Sequence, residues 1–199
     1  MATNRIENRI EALIADGEWE SAQRAVEKGL AKEPDDHWLW SRLAAVKYER
    51  RHYQDALDAA EKALDIVPDC PLALWSFASA LDMLGKTKEA GKVYIQLLRR
   101  GLEELKEPDE DANECWEGAD WTRSLVVDCI FRIAGCLAKM GQRDEAVEWY
   151  GRFLNLLHFG MQGVYSREDA MARLKKLRLG QKAVPDVMER MQVAEEVMR

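Results

Sequence analysis

Apolar and polar positions alternate along the chain with a helical period, and the same pattern returns. Four segments align: GEWESAQRAVEKGL from Gly17, RHYQDALDAAEKAL from Arg51, GKTKEAGKVYIQLL from Gly85 and GQRDEAVEWYGRFL from Gly141. Each opens on a turn residue and carries an alanine five positions later, at Ala22, Ala56, Ala90 and Ala146. The first three alanines are 34 residues apart, and the last interval is 56, one period plus 22 residues. A fixed period of this length marks a repeat array. A second amphipathic helix runs ahead of three of these segments: LWSRLAAVKYE after Trp38, LALWSFASALDML after Pro71 and CIFRIAGCLAKM after Asp128. There, a large apolar residue precedes a small one at Leu43-Ala44, Phe77-Ala78 and Ile133-Ala134. Small side chains at a crossing let two helices approach to about 8–10 Å, and large neighbours fill the grooves beside it.

Punctuation supports the pairing. Pro34 and Pro68 stop helices and redirect the chain, and Asp35-Asp36 and Asp69 are the expected caps of the helices that follow. Beyond residue 160, Ser166 and Asp169 form a capping box for SREDAMARLKKLR, which Gly180 ends. Pro185 opens a last helix. These two helices, over 166–198, are expected to cap the end of the array.

The residues at matching places resemble the tetratricopeptide repeat family. The best copy carries Trp40, Leu43, Ala44, Tyr53, Ala56, Ala63 and Pro68. The third carries Phe77, Ala78, Leu81, Gly85, Ala90 and Tyr94, and the fourth Ile133, Ala134, Leu137, Gly141, Ala146 and Tyr150. The first unit matches in its second half only, Gly17 to Pro34, because its leading helix has Arg9-Ile10 where the family places a large apolar and then a small residue. The third and fourth units lack the closing proline. The resemblance spans residues 4–158. It implies an all-α, right-handed solenoid of antiparallel helix pairs in one domain, with units near 4–34, 37–68, 71–106 and 121–158, an insertion at 107–120 and capping helices at the C-terminus.

Resemblance also implies a concave groove lined by the leading helices. Trp38, Ser41, Arg42 and Ala45 would face it from the second unit, Trp75, Ser79 and Asp82 from the third, and Phe131 and Gly135 from the fourth. Trp38 and Trp75 either face that groove or pack on a neighbouring helix. Aromatics and arginine are the residues that anchor interfaces. Family members that clamp a C-terminal carboxylate use Lys, Arg and Asn, and only Arg42 fits that description, so an apolar or basic segment is expected rather than an acidic tail. The implied function is a non-enzymatic protein-interaction module for a peptide or partner protein. A secretion-type chaperone for an apolar segment is the alternative nearest to it.

The insertion EPDEDANECWEGADW concentrates acidic residues around Trp116 and Trp121. These two rings suit a second contact surface or a return onto the long helices beside them. Asp109, Asp111, Asn113, the Cys115 carbonyl, Glu117 and Asp120 fall at the ligand spacing of a calcium loop, which would make a calcium-responsive adaptor. Glu114 holds the place of the turn glycine, however, and Pro108 breaks the approach, so a solvated acidic loop is the expectation.

Charge and chemistry narrow the rest. A net charge of −7 and a pI near 5.2 disfavour nucleic acid and anionic membrane. The most apolar run, Leu125 to Leu137, is broken by Asp128 and Arg132, short of a span. The N-terminus carries charges every few residues, and the expected location is the cytoplasm. The four cysteines form no CxxC pair; Cys129 and Cys136, seven apart on one helix, stand about 10.5 Å apart along it, too far to bond. His37, His52 and His158 are scattered in the sequence, so neither a metal nor another cofactor is expected. Cys115, between acidic residues, reads as a poor nucleophile. No nucleophile elbow or phosphate-cradling loop is present.

Overall fold

Five helix ends close in the same way. The amide after each turn residue returns to the carbonyl five positions back, and the turn residue's own amide to the carbonyl three back, at Gly17, Arg51, Gly85, Gly141 and Gly160. This closure needs a left-handed residue. Glycine supplies it at φ 72, 80, 80 and 83°, while Arg51 adopts φ 63° in the second unit. Four of these turns sit at the start of the four aligned segments, so the repeat is punctuated by backbone geometry as well as by side-chain size.

The computed structural model describes residues 3–107 and 115–178. Within them run nine helices: α1 Thr3–Ala15, α2 Trp19–Leu30, α3 His37–Glu49, α4 Tyr53–Ile66, α5 Pro71–Met83, α6 Thr87–Lys106, α7 Ala119–Lys139, α8 Arg143–His158 and α9 Arg167–Arg178. Each packs on its successor, and α3 also packs on α5. The result is an all-α solenoid with no strand among the described residues. Ala22, Ala44, Ala56, Ala78, Ala90, Ala134 and Ala146 are all fully buried, which places the recurring small residues at the helix crossings. A main core joins α4 to α9 around Tyr94, Phe131, Tyr150 and Phe153. A second core, around Ile10, Val26, Leu39 and Leu43, joins α1 to α4.

Caps follow expectation in two places and depart from it in one. The Asp36 carboxylate accepts the Trp38 and Leu39 amides at 2.9 and 3.1 Å. Ser166 and Asp169 make the reciprocal box, at 2.9 Å from the Ser166 amide and 3.1 Å from the Asp169 amide. Asp69 does not cap α5: Cys70 takes that position ahead of Pro71, and Asp69 pairs with Arg100.

The extra 22 residues lengthen helices more than they lengthen a loop. α6 has 20 residues against 14 in α4, and α7 has 21 against 13 in α5. Helix α7 starts at Ala119, inside the expected insertion. The added turns pack at Gly101, where a Cβ would lie 2.7 Å from Val126 Cγ2. The absent side chain is what lets the two long helices touch. The expected end of α9 at Gly180 and the helix after Pro185 lie outside the described residues, as do residues 108–114 of the insertion.

Candidate functional site

Leading helices α3, α5 and α7 enclose a cleft of about 410 Å³. Ala45, Tyr48 and Glu49 come from α3, Leu72, Trp75, Ser76 and Ser79 from α5, and Trp121, Ser124, Leu125, Asp128 and Arg132 from α7. Val164 and Tyr165, on the connector between α8 and α9, also line it. Tyr48, Trp75, Trp121 and Tyr165 contribute its rings, and Glu49, Asp128 and Arg132 its charged groups.

Arg132 organises the centre. Its Nε donates to the Tyr94 hydroxyl at 2.8 Å, and that hydroxyl shares a 2.9 Å hydrogen bond with Ser79 Oγ. The guanidinium lies 5.1 Å from the Tyr94 ring centroid and 6.0 Å from that of Trp75. Asp82 supplies the counter-charge, 3.6 Å from Arg132 Nη2 and 2.7 Å from Lys139 Nζ. Burial pushes the Tyr94 hydroxyl above the usual tyrosine range, so it stays protonated.

The chain's own connector fills the fourth-unit end. Asp128, 4% exposed, accepts the Val164 amide at 2.9 and 3.1 Å and the Tyr165 amide at 3.4 Å. Tyr165 then stacks on Phe131, with centroids 4.1 Å apart and planes 12° from parallel. Burial raises the Asp128 carboxyl above the usual range, and the two amides oppose that rise.

The sequence-derived site residues therefore divide. Trp75 and Trp121 are half-buried and line the cleft. Ser79 also lines it but is turned to Tyr94. Phe131 was expected to face an open groove; it is 3% exposed because Tyr165, Tyr150 and Phe153 surround it. Asp82 is likewise buried in its ion pairs, and Ser41, 1% exposed, donates to the His37 carbonyl. Trp38 packs on the first-unit core beneath the Arg42 guanidinium, 5.0 Å from its centroid. Arg42 is already engaged, 2.6 Å from Glu11 and 3.6 Å from Glu117, which removes the one carboxylate-clamp candidate. Trp116 and Trp121 meet edge to face at 6.0 Å and rest on the main core, so the return onto the long helices describes them. Tyr48, Arg132 and Tyr165 were missed. Tyr48 and Arg132 lie one helical turn from expected groove positions, a spacing that could have found them; Tyr165 had no signal.

Among the proposed calcium ligands, Asp109, Asp111 and Asn113 lie outside the described residues. Glu117 pairs with Arg42, and Asp120 with Arg123.

A second cluster gathers residues read as scattered. His37 Nε2, Cys70 Sγ and Cys115 Sγ all lie within 4.8 Å of one another, with His37 Nε2 and Cys115 Sγ at 2.9 Å. Cys115 is buried, not a solvent-exposed loop thiol, and it packs with Ala63, Cys70 and Ala73 beside Trp40, Leu64, Val67 and Leu72. Cys70 is lowered to about 6, first by its hydrogen bond from Cys115 and then by the Ala73 amide, against the cost of burial. Cys129 and Cys136 are instead raised by burial in α7, Cys136 to about 11, as fits core thiols.

The class this fold defines is that of the tetratricopeptide repeat proteins. Residues 6–46 match the tetratricopeptide repeat family model, the stretch that includes the leading helix where the residue pattern was weakest. Among solved structures, the chain is similar to the MamA protein (TM-score 0.55, 16% identity, covering 92% of this chain and 98% of that one). It is also similar to YrrB, described as a TPR protein with an unusual peptide-binding site (TM-score 0.54, 19% identity, covering 94% and 89%). At those identities the likeness is one of fold. No curated protein matches the sequence. No helix among the described residues is long and apolar enough to cross a membrane.

Proposed function

We propose that the chain is a non-enzymatic interaction module, a cytoplasmic adaptor that holds an apolar or basic peptide segment of a partner protein over α3, α5 and α7. The observation that carries this reading is the cleft itself. It is lined by Tyr48, Trp75, Leu72 and Trp121, with the exposed Glu49 available to a basic group. Aromatic side chains contribute large contact area at small entropic cost, which is how interfaces concentrate their affinity. YrrB, similar in fold, is described as having a peptide-binding site, which is consistent with this use of the architecture.

A photo-cross-linking residue at Ala45 or Ser124, inside the cleft, is expected to capture a partner in the native cell. The same residue at Lys92, on the outer helix α6, is expected not to. Trp75→Ala should abolish capture from Ala45 with helical content unchanged. Equal capture from Lys92, or capture indifferent to Trp75→Ala, would remove the cleft as the site.

A further inference from the structure

We propose that His37, Cys70 and Cys115 form a zinc site of Cys₂His type, with a fourth position left for water or an external ligand, that fastens the end of the insertion to the second and third repeats. Three separate parts of the chain converge here: the first residue of α3, the cap of α5 and the residue that leads into the α7 approach. Core packing alone gives no reason to bring an imidazole and two thiols together. An apolar contact would serve Ala63 and Ala73 as well.

Geometry and charge both suit zinc. Zn–S bonds of about 2.3 Å and Zn–N bonds of about 2.0 Å at tetrahedral angles put sulfurs about 3.8 Å apart and nitrogen about 3.5 Å from sulfur. The ligand atoms lie within 4.8 Å of one another, and the 2.9 Å His37–Cys115 approach opens by less than 1 Å to admit the ion. Two thiolates and a neutral imidazole bring Zn²⁺ to net zero charge, which suits the apolar wall of Trp40, Leu64, Val67 and Leu72. Binding releases both thiol protons to solvent. With two sulfurs and one nitrogen, the donor set excludes magnesium and calcium, which require oxygen. Ser41 Oγ, 3.9 Å from Cys70 Sγ, supplies an outer contact.

Occupancy has a structural consequence. Cys115 is followed by Trp116 and Glu117, which touch the α6–α7 contact and Arg42. A metal at Cys115 would hold that strip against the array beside the cleft.

The test uses cobalt as a spectroscopic stand-in for zinc. Co²⁺ added to the reduced, chelator-treated full chain is expected to give near-ultraviolet thiolate charge-transfer bands and visible tetrahedral bands, saturating at about one equivalent. Zinc should bleach them. Cys70→Ser and Cys115→Ser should each lose the charge-transfer signal while keeping their helical circular dichroism. Cys129→Ala should retain it, and zinc should raise the wild-type melting temperature. Three results would overturn the site: no thiolate–cobalt band although both thiols react with Ellman's reagent, a band that survives Cys70→Ser and Cys115→Ser, or a chain two hydrogens lighter with Cys70 bonded to Cys115. The last would make the pair a disulfide instead.

Discussion

Gly101→Ala and Gly151→Ala are the same chemical change in the interiors of two helices, and the structure gives them opposite signs. Replacing a helical glycine by alanine gains about 1 kcal/mol in the backbone. At Gly151, in α8, the new methyl meets no atom within 4 Å, so that gain stands. At Gly101, in α6, the methyl would lie 2.7 Å from Val126 Cγ2, about 1 Å inside contact distance. Val126 is β-branched and held in one rotamer on its helix, so it has no cheap retreat. Overpacking of this kind costs about 1–3 kcal/mol, and rigidity places it in the upper part of that range. The net expectation is a loss of about 1–2 kcal/mol at Gly101 and a gain of about 1 kcal/mol at Gly151. For a chain of this size the two variants should then melt roughly 4–12 °C apart. Calorimetry of wild type and both variants measures this directly. Val126→Ala should be less damaging in the Gly101→Ala background than in wild type, because it vacates the space the methyl needs. A Gly101→Ala protein that gains stability like Gly151→Ala would show that α6 and α7 do not approach as described.

Three further outcomes follow from the cleft. Asp82→Ala should cost about 2–3 kcal/mol in urea denaturation, because it leaves the Arg132 guanidinium, 16% exposed, without its anion; Asp82→Asn should cost less, and Lys139→Ala, half exposed, little. Asp128 binds its proton more tightly folded than unfolded, since burial raises it from 3.8. Its stabilising contribution is thus complete below the unfolded value and is lost as pH rises through the folded one; the stability difference between wild type and Asp128→Asn should fall across that interval and level off above it. Tyr165→Ala should expose Phe131, lowering stability by about 1–2 kcal/mol and increasing binding of an apolar dye.

Much of the solenoid was legible because its cause is local and periodic. Ala44, Ala78 and Ala134 had to be small for helices to nest, and the same requirement at each repeat wrote itself at a fixed interval. For Trp75 the resemblance left two places open, the groove or a neighbouring helix, because the register fixes a helix face and not what lies against it. The extension of α6 and α7 was not legible, since the acidic stretch reads as loop and the decisive residue, Gly101, looks like any helical glycine until Val126 faces it. Asp69 was preferred as a cap by residue type, although Pro71 at the first helical position pointed to Cys70. Tyr165 covers Phe131 through a connector whose path no period describes. His37, Cys70 and Cys115 are separated by 33 and 45 residues, and only the stacking of repeats brings them together.

The Asp128-tethered connector makes one part of the cleft different from the rest. Val164 and Tyr165 join its lining from outside the helix pairs, held by the Asp128 carboxylate and by the stack of Tyr165 on Phe131. That part of the wall therefore rests on one carboxylate and one ring contact, whereas the rest is carried by the backbone of the repeats themselves.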